Sequence, residues 1–183
     1  MKDMKNNVQK ITFTALMAAI LCVVGPFVFP IGMVPMSFAN MAIYLTIILL
    51  DKKRAVISTA VYLLIGFVGI PVFSGFTGGA GKLFGPTGGY LAGYLILSWS
   101  AGGILEILGD AKRKAILTQI FALMTGTLGL YMFGTLWMMY QSSLDFRTAL
   151  SIGVIPFVLF DIVKIVAAVF LGKAVRKRIG SII

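Results

Sequence analysis

The chain has 183 residues, of which 59% are hydrophobic and only 12% charged, with a mean hydropathy of +1.00. An ordinary soluble domain carries about twice that charge, and a globule this small keeps too much surface to hide so much apolar side chain, so the water-soluble classes are excluded. The formal net charge is nevertheless +10, from sixteen Lys and Arg against six Asp and Glu. Where those cations sit decides whether they address a polyanion.

Cutting the apolar sequence at charges, prolines and glycine clusters predicts six spans, approximately 11–29, 36–50, 54–72, 87–108, 115–139 and 149–172. A helix needs roughly 20 residues to cross about 30 Å of hydrocarbon, and the second span reaches that only with its flanks. The first span follows a basic start, lacks a clear small-residue cleavage site and is expected to be retained. Within it Ala15, Ala18 and Ala19 place small residues one turn apart, a spacing that lets helices approach closely inside the bundle or against another subunit. The second span opens on Ser37, Phe38 and Asn40, and the third leads into SGFTGGAGKLFGPTGG. The fourth starts at Gly85-Pro86, with Gly89 and Gly93 giving it a face for tight packing. The fifth carries Gln119, assigned to the cytoplasmic side and away from any site. The sixth holds Pro156, suited to a first helical turn, and then Asp161 and Lys164. Phe27, Phe29, Trp137 and Tyr140 near the external ends are expected to be interface anchors.

The connecting loops alternate in charge. Thirteen of the sixteen cations fall at the N-terminus, in the two even loops and at the C-terminus; Lys82 and Arg147 fall on the other side and Lys164 inside the last span. Positive charge flanking spans marks the cytoplasmic side, which predicts a single all-α domain, 1–183, with six transmembrane helices and both termini cytoplasmic. The basic clusters then orient the bundle in the lipid bilayer, and nucleic acid is not expected as a partner.

The side-chain inventory excludes most chemistry. With no histidine and the single cysteine Cys22 inside an apolar helix, neither a Cys–His nucleophile pair nor a thiolate or imidazole metal site can be assembled. Glu106 and Asp110 are expected to balance Lys112 and Arg113. A phosphate loop needs glycine five residues before its Gly-Lys pair and a hydroxyl after it, but Phe76 and Leu83 stand there. The expectation is no enzyme, no metal and no nucleotide hydrolysis.

Charged side chains inside a span are costly and mark a pathway, partner or ligand site. Asp161 and Lys164, three apart, share a helix face, within two turns of the external end counted from Pro156. They read either as an ion pair that locks the bundle or as a polar ligand site opening outward. The glycine-rich stretch reads either as a reentrant turn or as backbone lining a cavity, with Lys82 as its one cation.

GPTGGYLAGY at 85–94, the Gly-Gly at 78–79, VPMSF at 34–38 and FDIVK at 160–164 together resemble the BioY family, the biotin-binding S components of energy-coupling-factor vitamin transporters. The resemblance covers nearly the whole chain. Ala39 stands where a glutamine is frequent, Phe76 where glycine is usual, and Lys82 is uncommon. The resemblance implies a multi-pass protein of the bacterial plasma membrane that captures biotin from outside as transported substrate rather than as cofactor. It also implies docking on a transmembrane coupling protein with two cytoplasmic ATPase subunits, with Ala15, Ala18 and Ala19 similar to the small-residue contact motif. Asp161 and Lys164 then meet the ureido group, Phe38 and Tyr90 cover the ring, and the carboxylate meets Lys82 or the amides of Gly78, Gly79 and Gly81; either orientation fits. Ser37 and Asn40 are lesser candidates. The alternatives are an S component for thiamine or riboflavin, against which GPTGGY argues, and a stand-alone secondary transporter using Asp161 as an ion relay.

Overall fold

The computed structural model describes residues 2–29, 36–109, 113 and 115–179, with residues 2–6 and 179 described by backbone only. Val34, Pro35, Asp110, Lys112 and Lys114, and the side chains of Lys2 and Lys5, lie outside that description. In chain order the elements are α1 Lys2–Val24, β1 Val28–Phe29, β2 Met36–Ser37, α2 Ala39–Leu49, α3 Lys52–Phe67, α4 Ala80–Leu83, α5 Gly88–Ile107, α6 Ile116–Ser142, α7 Phe146–Gly153 and α8 Ile155–Ile179. Among the described residues four helices are long and apolar enough to cross a membrane: α1, α5, α6 and α8. The apolar α2 is shorter.

Helix α2 is the hub. Its Ala39, Ile43, Tyr44, Ile47 and Ile48 are fully buried, and it packs on α1, α3, α5 and α8. An 11-residue helix is only about 16 Å long, so both its ends must be satisfied by other parts of the protein. At the N-terminus the Ser37 hydroxyl accepts from the Ala39 amide at 3.0 Å and donates to the Gly25 carbonyl at 3.1 Å. At the C-terminus the guanidinium groups of Arg176 and Arg113 donate to the carbonyls of Ile48 and Leu50. Next to them Asp51 caps α3, accepting from the Arg54 amide and its guanidinium, both at 2.8 Å. Cations from three separate basic segments thus meet at one end of the bundle.

Lipid tails are as apolar as leucine, so close packing rather than water exclusion holds membrane helices together. The most extensive helix pair, α5 with α6, is built on glycine. A Cβ on Gly89 would come within 2.2 Å of Trp137 Cβ, and one on Gly126 within 2.8 Å of Leu97. The expected packing face of Gly89 and Gly93 is present, and α6 supplies its own glycines in return. Buried hydroxyl pairs add interhelical bonds, Tyr44–Thr127 at 3.0 Å and Thr59–Ser98 at 2.9 Å.

Three boundaries differ from the sequence expectation. Helix α1 stops at Val24, because Gly25-Pro26 turns the chain into an antiparallel hairpin, Val28 opposite Ser37 and Phe29 opposite Met36. The expected third span ends at Phe67, and the chain continues as a loop. The last expected span is two helices: α7 ends at Gly153 and α8 begins at Ile155, with Pro156 in its first turn. Gly153 lets the Tyr90 side chain approach closely there, since a Cβ would sit 2.2 Å from the Tyr90 hydroxyl.

Candidate ligand cavity

Asp161 and Lys164 face inward from α8, 2% and 7% exposed, with Nζ 3.1 Å from Asp161 Oδ1. They are joined to α2, α5 and α6 by one polar network. Asp161 Oδ2 accepts from Asn40 Nδ2 at 3.1 Å and from the Tyr131 hydroxyl at 2.6 Å. The Tyr94 hydroxyl donates to Asn40 Oδ1 at 2.7 Å, and Lys164 Nζ also donates to the Ser37 carbonyl at 2.9 Å. A carboxylate and an ammonium taken out of water must be paired and hydrogen-bonded, and here the two charges neutralise each other.

The network forms one wall of a cavity with about 690 Å³ of atom-free space, its open mouth and adjoining solvent included. Phe157, Leu91, Leu130 and Tyr90 give it apolar walls, and Ser74, Lys82 and Thr87 add polar groups contributed by the glycine-rich segment. The Tyr90 hydroxyl is held 3.3 Å from Thr135.

Of the residues singled out from sequence, Asp161, Lys164, Tyr90, Lys82, Ser37 and Asn40 line this cavity. The Ser37 hydroxyl is spent on the α2 terminus, so its carbonyl is what meets Lys164. Phe38 is not among the lining residues; its ring packs on Phe29, centroids 5.5 Å apart. Gly78, Gly79 and Gly81 do not line it either. The Gly79 amide donates to the Gly66 carbonyl at 2.7 Å, and Gly78 is pressed against the Ile70 carbonyl, where a Cβ would come within 2.4 Å. These two glycines therefore fold the loop.

Ala15 and Ala19 are exposed one turn apart, while Ala18 is buried at 3%. A 100° step per residue turns Ala18 inward, so the outward small-residue stripe consists of Ala15 and Ala19 alone. Trp137, expected as an interface anchor, has its indole N–H donating to the Gly85 carbonyl at 3.0 Å, which fixes the turn before α5. Gln119 lies outside the cavity, donating to the Arg113 carbonyl at 2.8 Å. Phe76 adopts φ +57°, the left-handed region that glycine enters freely, which explains why glycine suits that position.

Sequence reasoning missed Tyr94, Tyr131 and Phe157. Tyr94 is four residues from Tyr90, and Phe157, Asp161 and Lys164 follow i, i+4, i+7 spacing, so helical periodicity contained both signals. Tyr131 had none, because only the packing of α6 against α8 brings its hydroxyl to Asp161.

The BioY family model matches residues 1–181. The chain belongs to the BioY family. Among its BioY relatives, the biotin transporter BioY2 of Lactococcus lactis subsp. cremoris is 37% identical over 178 residues, covering 95% of this chain and 93% of that protein. The biotin transporter BioY of Thermotoga maritima is 33% identical over 175 residues, covering 95% and 97%. The fold matches a crystal structure of the S-component for biotin from an ECF-type ABC transporter with a TM-score of 0.85, at 28% identity over 93% of this chain and 92% of that one. Family and apolar helices together make the chain a multi-pass membrane protein.

Proposed function

We propose that this chain captures biotin as the S component of an ECF-type transporter and is not an enzyme. One observation carries this reading beyond the family match: the hydrogen-bonding capacity left over in the cavity. A carboxylate offers about four lone-pair positions, a primary amide two lone pairs and two N–H groups, an ammonium three N–H groups. After the bonds described above, Asp161 Oδ1 and Asn40 Oδ1 each keep an acceptor position and Lys164 Nζ keeps a donor, while the second Asn40 N–H serves the Tyr44 hydroxyl. A cyclic urea presents two N–H donors and a carbonyl with two lone pairs, the complement of that set. Phe157 and Tyr90 then cover the fused ring, and Lys82 receives the carboxylate. A proton relay through Asp161 is less supported, because three donors already engage its carboxylate.

In this reading the chain crosses the membrane six times, on α1, α3, α5, α6 and α8 and on α2 together with its flanking residues, with both termini cytoplasmic. The supporting observation is the split of thirteen loop and terminal cations against two. Ala15 and Ala19 contact the transmembrane coupling protein that carries two ATPase subunits, and biotin is cargo rather than cofactor. Equilibrium binding of radiolabelled biotin to the detergent-purified chain tests the proposal. Tight binding is expected, with loss in Asp161→Asn and Lys164→Ala; undiminished affinity in both variants would overturn the site.

A further inference from the structure

The geometry points to Tyr131 and Tyr94 as the residues that make this site select a neutral urea over a cationic guanidine. Neither phenol has to touch the ligand for this. Resting on the biotin reading, the inference concerns what the two hydroxyls take away from the groups that do.

Tyr131 donates at 2.6 Å to Asp161 Oδ2, the oxygen that also receives Asn40. That oxygen is filled, and a hydroxyl dipole aimed at a carboxylate damps the negative potential it shows to the cavity. Lys164 occupies part of Oδ1 at 3.1 Å. The outcome is a carboxylate with one position left beside a fixed cation: enough for a urea N–H, but poor for a group carrying its own positive charge. Tyr94 acts on the other partner. By donating to Asn40 Oδ1 at 2.7 Å it fixes the amide with Nδ2 toward Asp161, so Asn40 keeps one spare lone pair for the ligand while its second N–H serves the Tyr44 hydroxyl. A urea carbonyl can use the spare N–H of Lys164. The corresponding nitrogen of a protonated guanidine has only N–H groups to offer and would face the Lys164 ammonium, a donor with a positive charge of its own. A site built to pair with particular polar groups penalises an analogue that leaves them unpaired.

Removing either hydroxyl changes the inventory in one direction. Tyr131→Phe returns a carboxylate lone pair to Asp161, and Tyr94→Phe returns a lone pair to Asn40. Each variant loses one phenol donor and gains one acceptor position close to the cavity, while the Lys164 donor is unchanged, which favours a ligand richer in N–H. The prediction is therefore a shift in selectivity, distinct from a general loss of affinity.

The probes are biotin, 2-iminobiotin, in which a guanidine replaces the urea, and desthiobiotin, which keeps the urea and opens the sulfur ring. Dissociation constants are measured at neutral pH on the full-length chain in detergent. The unaltered chain is expected to prefer biotin over 2-iminobiotin by about 100-fold or more. In Tyr131→Phe and Tyr94→Phe that preference falls by about tenfold or more, while the ratio of biotin to desthiobiotin stays unchanged. A merely structural role would weaken all three ligands together and leave both ratios alone, and that result would overturn the inference. Equal affinity of the unaltered chain for biotin and 2-iminobiotin would overturn it as well, without relying on any variant. No binding of biotin by the unaltered chain would instead reject the proposed function, so the two failures are distinguishable.

Discussion

Replacing Asp161 by Asn leaves Lys164 buried at 7% exposure, with the Ser37 carbonyl and a neutral amide as its surroundings. Removing one member of a buried ion pair costs about 3–5 kcal/mol, most of it the penalty of the charge left behind. Three donors also lose a charged acceptor, at about 1.5–3 kcal/mol for such a bond. The same desolvated atoms enter both figures, so they overlap, and the expected loss for Asp161→Asn is about 3–5 kcal/mol. Lys164→Met leaves the carboxylate with two neutral donors, Asn40 and Tyr131, and is expected to cost about 3 kcal/mol, the lower end of the same range. The double variant carries no buried charge, so its loss should fall short of the sum of the single losses by about 2 kcal/mol or more. Denaturant unfolding of the purified chain, followed by Trp99 and Trp137 fluorescence, measures the cycle. Additivity within about 0.5 kcal/mol would refute the statement that these charges are energetically one unit. Biotin affinity should stay lost in the double variant, which separates the pair's part in stability from its part in binding.

Ala15→Leu and Ala19→Leu should leave biotin affinity unchanged and abolish uptake by cells carrying the coupling module. Ala18→Leu should instead destabilise the chain by about 1–3 kcal/mol, because Ala18 is buried and added methylenes must displace its neighbours. Gly89→Ala forces α5 from α6 at the Trp137 Cβ and should cost stability, seen as a lower denaturation midpoint; Gly153→Ala displaces only the Tyr90 hydroxyl end and should show chiefly as weaker biotin binding. Lys82→Ala should reduce affinity for biotin about tenfold or more while leaving its methyl ester unaffected, in parallel titrations. Partial burial by itself raises the Asp51 carboxyl, but the Arg54 amide and guanidinium outweigh it and hold Asp51 below the usual carboxylate range. A carboxyl depressed in the folded state stabilises at neutral pH, and that contribution is lost as pH falls through the folded value. Asp51→Ala should therefore cost about 1 kcal/mol near pH 7, a difference that shrinks in acid unfolding curves.

The apolar runs, the alternation of basic loops and the ion pair in the last span were legible because each is a local property. So was the packing face of Gly89 and Gly93, which needs only helical periodicity. The role of Gly78 and Gly79 was not: glycine announces an unusual backbone or a close approach, and sequence does not say whether the close neighbour is a ligand or, as found, the carbonyls of Gly66 and Ile70. The hairpin was missed because β1 and β2 are two residues each, too short for an alternating pattern.

Sequence by itself determined that this chain lives in a membrane, that its loops alternate in charge, and that Asp161 and Lys164 are the costly charges inside it. Hydropathy and charge are sums over neighbouring residues, so they survive without coordinates. Only the tertiary structure decided which alanines face outward and which tyrosines surround the carboxylate. It also decided how much hydrogen-bonding capacity the cavity keeps. Those outcomes depend on contacts between residues 30 to 127 positions apart in the chain, and only the packing of α2, α5, α6 and α8 brings them together.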